Sequence, residues 1–227
     1  MLTKVILTAM KEEADIVINN FWLKEIKSFN NFKIYEGIIN NNNNEQKIIL
    51  ALAWIWKIQA AIATTYLFEN YTFDKFINIW IAWNLAWSKY NIWDVFLIDT
   101  IYQHDMYLPF EWEHLNYAKK EITINNELNH DFSIFNFNVF PNGKCLTWDQ
   151  FIDNKEKINL LNEKYIADVC EMEAFAVFSV AREYNFLNKC IAIKSISDWA
   201  NNKAKNEHMN NLDYAMENSV KILKLIL

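Results

Sequence analysis

Two of the 227 residues are glycine, Gly37 and Gly143, where an average chain of this length carries about sixteen. Glycine is the residue that takes positive φ without strain and lets backbone approach another group closely. A chain almost without it must avoid tight turns or set bulky residues in them. Ten tryptophans stand in the same sequence. Four fall in NIWIAWNLAWSKYNIWD, residues 78–94, a stretch that otherwise reads as a turn and a binding loop. Lysine outnumbers arginine 21 to 1, and Asn, Ile, Phe and Tyr are abundant, including the run Asn40–Asn44. Those are the residues of A/T-rich codons.

The remaining pattern is regular. Strands are expected at 3–8, 32–39, 47–53, 75–80, 93–100, 166–171 and 189–195, with helices at 11–20, 57–70, 174–185 and 209–226. Residues 78–84 are expected as a loop. Strands alternating with helices point to one α/β domain over residues 1–227, three layers deep, with a central mixed β-sheet. Near-continuous apolar strands such as FINI and CIAIKSI suit positions covered on both faces. Ligands in such folds gather beyond the carboxyl ends of the strands.

Several classes are disfavoured. A net charge of −6 without a basic stripe argues against nucleic acid. Residues 48–68 are long and apolar, but Lys57 and Gln59 in their middle favour strand, loop and helix over a membrane span. The N-terminus meets charges too early for a signal peptide. Cys145, Cys170 and Cys190 have neither CxxC spacing nor an even count, as expected of reduced cytosolic thiols. The expected compartment is the cytoplasm.

Candidate chemistry sits at strand ends. TAMKEEAD follows the first strand and opens a helix, placing Glu12 and Glu13 where acids also complement the helix dipole. In VCEMEAFA, Glu171 and Glu173 are two apart and share a face on strand geometry; a carboxylate there can accept both hydroxyls of a ribose. IKSISDWANN sets Ser197 and Asp198 after a strand, as a turn cap or as an acid holding a proton. Phe151 in LTWDQFID offers a stacking surface. His104 and Asp105 in YQHDMY suggest a dyad, but no nucleophile lies near them in sequence.

In order, AMKEEAD, INIWIAWNLAW…IWDVFLIDT, YQHDM, TWDQFI, CEMEAFA and IKSISD make the chain resemble the purine nucleoside phosphorylase superfamily, and within it the methylthioadenosine/S-adenosylhomocysteine nucleosidases. The likeness covers nearly the whole chain. It implies that Glu13 activates the attacking water and that Asp198 protonates the purine at N7. It makes Glu173 the acceptor of the ribose hydroxyls, with Met172 against the sugar. Phe151 is expected to stack on the base and the Ile152 backbone to bond its edge. Ala82, Trp83 and Ser197 complete the expected binding set. The resemblance further implies a homodimer acting on a small nucleoside, with neither cofactor nor metal.

Related phosphorylases cradle phosphate with arginines, whose planar guanidinium grips the anion through two bonds. Arg182 is the chain's single arginine, on the helix after Glu173, and none stands near 78–84. Water is therefore the expected nucleophile; a phosphorylase with an unusual phosphate site is the alternative. Two departures bear on the substrate: Ile81 replaces a serine, and Lys194 stands where many relatives carry arginine.

The family pattern also places Trp54, Trp56, Trp80, Trp83, Trp93 and Trp148 on glycine positions. Overpacking at one tight site costs roughly 1–3 kcal/mol, so six would rival the whole stability of a domain. A source that reads UGA as glycine removes both anomalies together. If the indoles are genuine, the expectation is a noncatalytic nucleoside-binding protein with a filled pocket.

Overall fold

The computed structural model describes residues 1–41, 44–86, 89–105, 121–124, 128, 130–150, 155–201 and 203–227. The elements run β1 (Leu2–Thr8), α1 (Lys11–Phe21), β2 (Lys24–Ser28), β3 (Lys33–Asn41), β4 (Asn44–Leu52), α2 (Lys57–Asn70), β5 (Lys75–Asn84) and β6 (Val95–Gln103). They continue with β7 (Glu121–Thr123), β8 (Val139–Thr147), α3 (Lys155–Tyr165), β9 (Val169–Glu171), α4 (Ala174–Glu183), β10 (Cys190–Asp198) and α5 (Ala204–Ile226).

The sheet is mixed, as expected. Strand β1 lies parallel between β4 and β5, with Ile6 opposite Leu50 on one side and Ile77 on the other. Strand β5 pairs in parallel with β10, Ile79 opposite Ile193, and antiparallel with β9, Trp83 opposite Cys170. Strands β9, β8, β6 and β10 then follow one another back to β5, so five strands close a ring. The outer arm, β4–β3–β2, remains open.

Helices cover both faces. On one, Ala60, Ala63 and Leu67 of α2 and Phe175, Val177 and Phe178 of α4 join a buried cluster with Val5, Phe76 and Phe96. On the other, Ala14 and Val17 of α1 and Met216, Val220 and Leu223 of α5 pack over Ile6, Ile77 and Ile193. Burial of these side chains stabilises the fold by about 25 cal/mol per Å² of apolar surface. The segment 48–68 divides into β4 and α2, and among the described residues no helix is long and apolar enough to cross a membrane.

Residues 78–84, expected as a loop, are strand. FINIWIAWN is buried from Phe76 to Asn84, and ladder partners on both edges hold it extended. The strand expected from 93 begins at Val95, because the Asn91 amide donates to Asp94 Oδ2 at 2.8 Å and closes a turn first. The strand expected over 166–171 shortens to Val169–Glu171. Strands β2 and β8 and helix α3 had no regular sequence signal; β2 is exposed throughout and so carries no apolar alternation.

Candidate active site

The ends of β1, β5, β9 and β10 converge on a cavity of about 230 Å³. Ala9, Met10 and Glu13 line it from the β1–α1 turn, and Trp80–Trp83 from β5. Cys170–Glu173, Ser197, Ile55 and His208 complete the wall. Three carboxylates therefore face one small space, and no lysine or arginine lines it among the described residues.

Glu13 lies in the first turn of α1 and is 1 % exposed. Its Oε2 accepts from the amides of Ala9 and Met10, at 3.1 and 2.9 Å, so it does cap its own helix. Its Oε1 accepts from Ile81 N–H in β5 at 3.1 Å, which turns a local cap into a link across the cavity floor. Burial outweighs these three donors and pushes the carboxyl up to about 7. A carboxylate with that affinity takes a proton from water at neutral pH.

Glu171 and Glu173 have separate duties. The Glu171 carboxylate ends β9 and is saturated from all sides. It accepts from Thr147 Oγ1, from Trp80 Nε1 at 2.9 Å, and from the Glu173 and Ala174 amides at 3.0 and 2.7 Å. Lys194 Nζ stands 3.4 Å from it, hydrogen-bonded to Asn78 and set 3.5 Å over the Trp80 ring. Burial lowers the Lys194 ammonium despite the surrounding carboxylates. Glu171 thus anchors the turn, while Glu173 lines the cavity and, among the described residues, its carboxylate accepts from the Trp56 amide at 2.9 Å. Burial, and then the charge of Glu171, hold Glu173 well above the usual carboxylate range.

Lys57 fixes the loop that carries the Trp56 amide. Its Nζ reaches the Asp105 carboxylate at 2.6 Å and Asp149 at 3.3 Å. Asp105 is thereby committed to a lysine, and its neighbour His104 sits edge-on against Trp148. The two do not form a dyad.

Asp198, the last residue of β10, is fully buried directly behind Ser197. Its Oδ1 accepts from the Ala200 amide and its Oδ2 from Ser197 Oγ, both at 2.8 Å. The turn-capping and acid readings are therefore compatible. Burial raises its carboxyl above the usual range, the direction required of a group that must hold a proton. Of the expected site residues, Glu13, Glu173, Met172, Ala82, Trp83 and Ser197 line the cavity, and Asp198 stands one residue behind it. Phe151 and Ile152 lie outside the described residues. Sequence reasoning missed His208, at the start of α5, which lines the cavity beside Ser197.

The pattern of the phosphorylase superfamily matches residues 3–227. The chain belongs to that superfamily. It is 27% identical to the 5′-methylthioadenosine/S-adenosylhomocysteine nucleosidase of Buchnera aphidicola, covering 98% of this chain and 96% of the other. It is 26% identical to the aminodeoxyfutalosine nucleosidase of Helicobacter pylori, covering 99% and 97%. A 5′-methylthioadenosine/S-adenosylhomocysteine nucleosidase from Neisseria meningitidis, solved with methylthio-immucillin-A, superposes with a TM-score of 0.82 at 21% identity over 98% of this chain and 97% of that one. That likeness establishes the nucleosidase-type fold.

Within this phosphorylase-superfamily fold the tryptophans divide in two. Trp54, Trp56 and Trp93 take φ of 62°, 96° and 78° and are all at least 38 % exposed. Trp80, Trp83 and Trp148 are buried; the first two form part of the cavity wall, and Trp148 packs in the cluster beside Leu146 and Met172. Arg182 lies on α4 beside Glu183 and does not line the cavity.

Proposed function

We propose that this protein is a nucleoside N-ribohydrolase that releases adenine from 5′-methylthioadenosine, S-adenosylhomocysteine or a related purine nucleoside. One observation carries the choice of water as nucleophile. The cavity is walled by Glu13, Glu171 and Glu173, without arginine or lysine in the described lining. A phosphate dianion there finds carboxyl groups and no guanidinium to pair with, whereas positive charge growing on a sugar favours their ionised form and is stabilised by it.

Asp198 holds the proton destined for purine N7, because adenine leaves poorly as an anion. As the glycosidic bond opens, positive charge grows on the ribose; Glu173 accepts the ribose hydroxyls and helps to stabilise it. Glu13 takes a proton from the attacking water. Phe151 and Ile152 hold the base in this reading. The chain acts as one domain over residues 1–227, as a homodimer in the cytoplasm.

A second reading has a specific observation behind it. Trp80 and Trp83 leave about 230 Å³, and ligand pockets span roughly 300–1,000 Å³. A noncatalytic nucleoside-binding protein fits a site so narrowed. Product analysis separates the possibilities. With 5′-methylthioadenosine, free methylthioribose and adenine are expected, at a rate indifferent to phosphate. A sugar 1-phosphate as main product makes the protein a phosphorylase, and binding without turnover makes it a binding protein.

A further inference from the structure

Resting on the reading of Asp198 as the acid, we infer that His208 and Ser197 form the relay that returns a proton to Asp198 after each turnover. Asp198 is fully buried, so a proton given to the base cannot be replaced directly from solvent. Its Oδ1 is held by the Ala200 amide, which leaves Oδ2 as the oxygen that exchanges. Oδ2 sits 2.8 Å from Ser197 Oγ, and that hydroxyl is 3.4 Å from His208 Nδ1. His208 Nδ1 is itself 3.6 Å from Oδ2, and its side chain is 15% exposed at the cavity wall. These atoms bridge a sealed acid to water within two short steps.

The step balances. Asp198 gives its proton to purine N7 and becomes a carboxylate. The Ser197 hydroxyl passes its proton to Oδ2 and takes one from His208 Nδ1, while the other ring nitrogen of His208 takes up a proton from water. Other ionisable groups are placed differently: Glu207 on α5 receives the Trp199 amide, and Cys170 on β9 is a buried thiol held protonated.

The test is pre-steady-state adenine release from 5′-methylthioadenosine by the full chain. In His208→Gln a burst of about one adenine per site is expected, followed by turnover roughly 10- to 100-fold slower than wild type. In His208→Ala, added imidazole is expected to restore the slow phase in proportion to its concentration. Equal slowing of first and later turnovers without rescue overturns the relay, as does wild-type turnover in both variants. Asp198→Asn is the control: if it makes its first adenine at the wild-type rate, the acid assignment fails and the relay falls with it, whereas a slow first turnover there with no burst in His208→Gln overturns the relay alone.

Backbone conformation carries a second, independent inference. Trp22 belongs to no family motif, yet it takes φ of 50° and ψ of 43° at the end of α1. Leu23 N–H bonds Ile18 carbonyl at 3.1 Å across it, and Leu23 is buried while Trp22 is 83 % exposed. That is a left-handed helix C-terminus, in which Trp22 N–H also bonds Ile18 carbonyl and whose αL residue is commonly glycine. Four of the eight positive-φ residues described are tryptophan: 22, 54, 56 and 93. A bulky residue adopts that region rarely. We infer that residue 22 is glycine in the native protein, read from the same codon as the family glycine positions. The gene is expected to carry TGA at 22, 54, 56 and 93, and the native tryptic peptide 12–24 to contain glycine. A TGG codon at 22, or tryptophan in that peptide, overturns the inference.

Discussion

The amide of Ile81 donates to Oε1 of Glu13 at 3.1 Å, joining the first helix to the central strand at the cavity wall. Because burial pushes the Glu13 carboxyl up to about 7, its charge changes in the working range. Turnover should rise with pH through about 7 as Glu13 loses its proton and becomes able to act as the base. Glu13→Gln should lower kcat by about 10²–10⁴ and erase the rising limb. A variant that keeps the limb assigns it elsewhere.

The same shift predicts the pH dependence of stability. The folded-state affinity of Glu13 lies above its unfolded value of 4.5, so between that value and about 7 the folded state binds more protons than the unfolded one. The contribution of this group is therefore fully present at low pH and declines as pH rises through that window. Urea unfolding of the wild type and of Glu13→Gln at pH 5 and 8 checks the sign. The wild type should lose more stability than the variant on going to pH 8; the reverse result contradicts the burial argument.

Asp198→Asn should lower turnover by about 10²–10⁴ while nucleoside binding persists, because the amide keeps the turn but carries no acidic proton. Glu173→Gln should weaken both, since its bonds to the sugar form on binding and strengthen as charge develops. Isothermal titration beside steady-state kinetics separates the two patterns. Loss of binding with intact kcat in Asp198→Asn would reverse the assignment.

Lys194 and Glu171 make a buried ion pair 3.4 Å apart, 0% and 2% exposed. Removing one partner strands the other charge, so Lys194→Met should cost about 3–5 kcal/mol of stability, and Lys194→Met/Glu171→Gln should cost less than the sum of the single changes. Denaturant midpoints measure both. A single variant within about 1 kcal/mol of wild type shows that the pair behaves as an exposed one.

Much of the site was legible because its residues follow strands whose apolar runs are unmistakable. Glu13, Glu173 and Asp198 each sit just past such a run, and the order of motifs supplied the roles proposed for them. The division between Glu171 and Glu173 was not legible. Two carboxylates two residues apart look alike until Thr147, Trp80 and Lys194, which are distant in sequence, are seen to saturate one of them. His208 was missed because a lone histidine near a helix start carries no period or spacing. The loop expected at 78–84 failed for a different reason. Its turn-like reading rested on family glycine positions, while the physical residues there are apolar and hydrogen-bonded on both edges.

Trp80 and Trp83 occupy the wall of the cavity, whereas Trp54, Trp56 and Trp93 take positive φ. Glycine at the first pair should enlarge the cavity, and at the other three it should relieve strain of about 1–3 kcal/mol each. Two genes test this: one as written, and one with glycine at 54, 56, 80, 83, 93 and 148. The glycine version should be the more stable to denaturant and should cleave 5′-methylthioadenosine, while the written version should be poorly soluble or inactive. If the written version folds with equal stability and hydrolyses the nucleoside as fast, these indoles are native and the cavity opens around them.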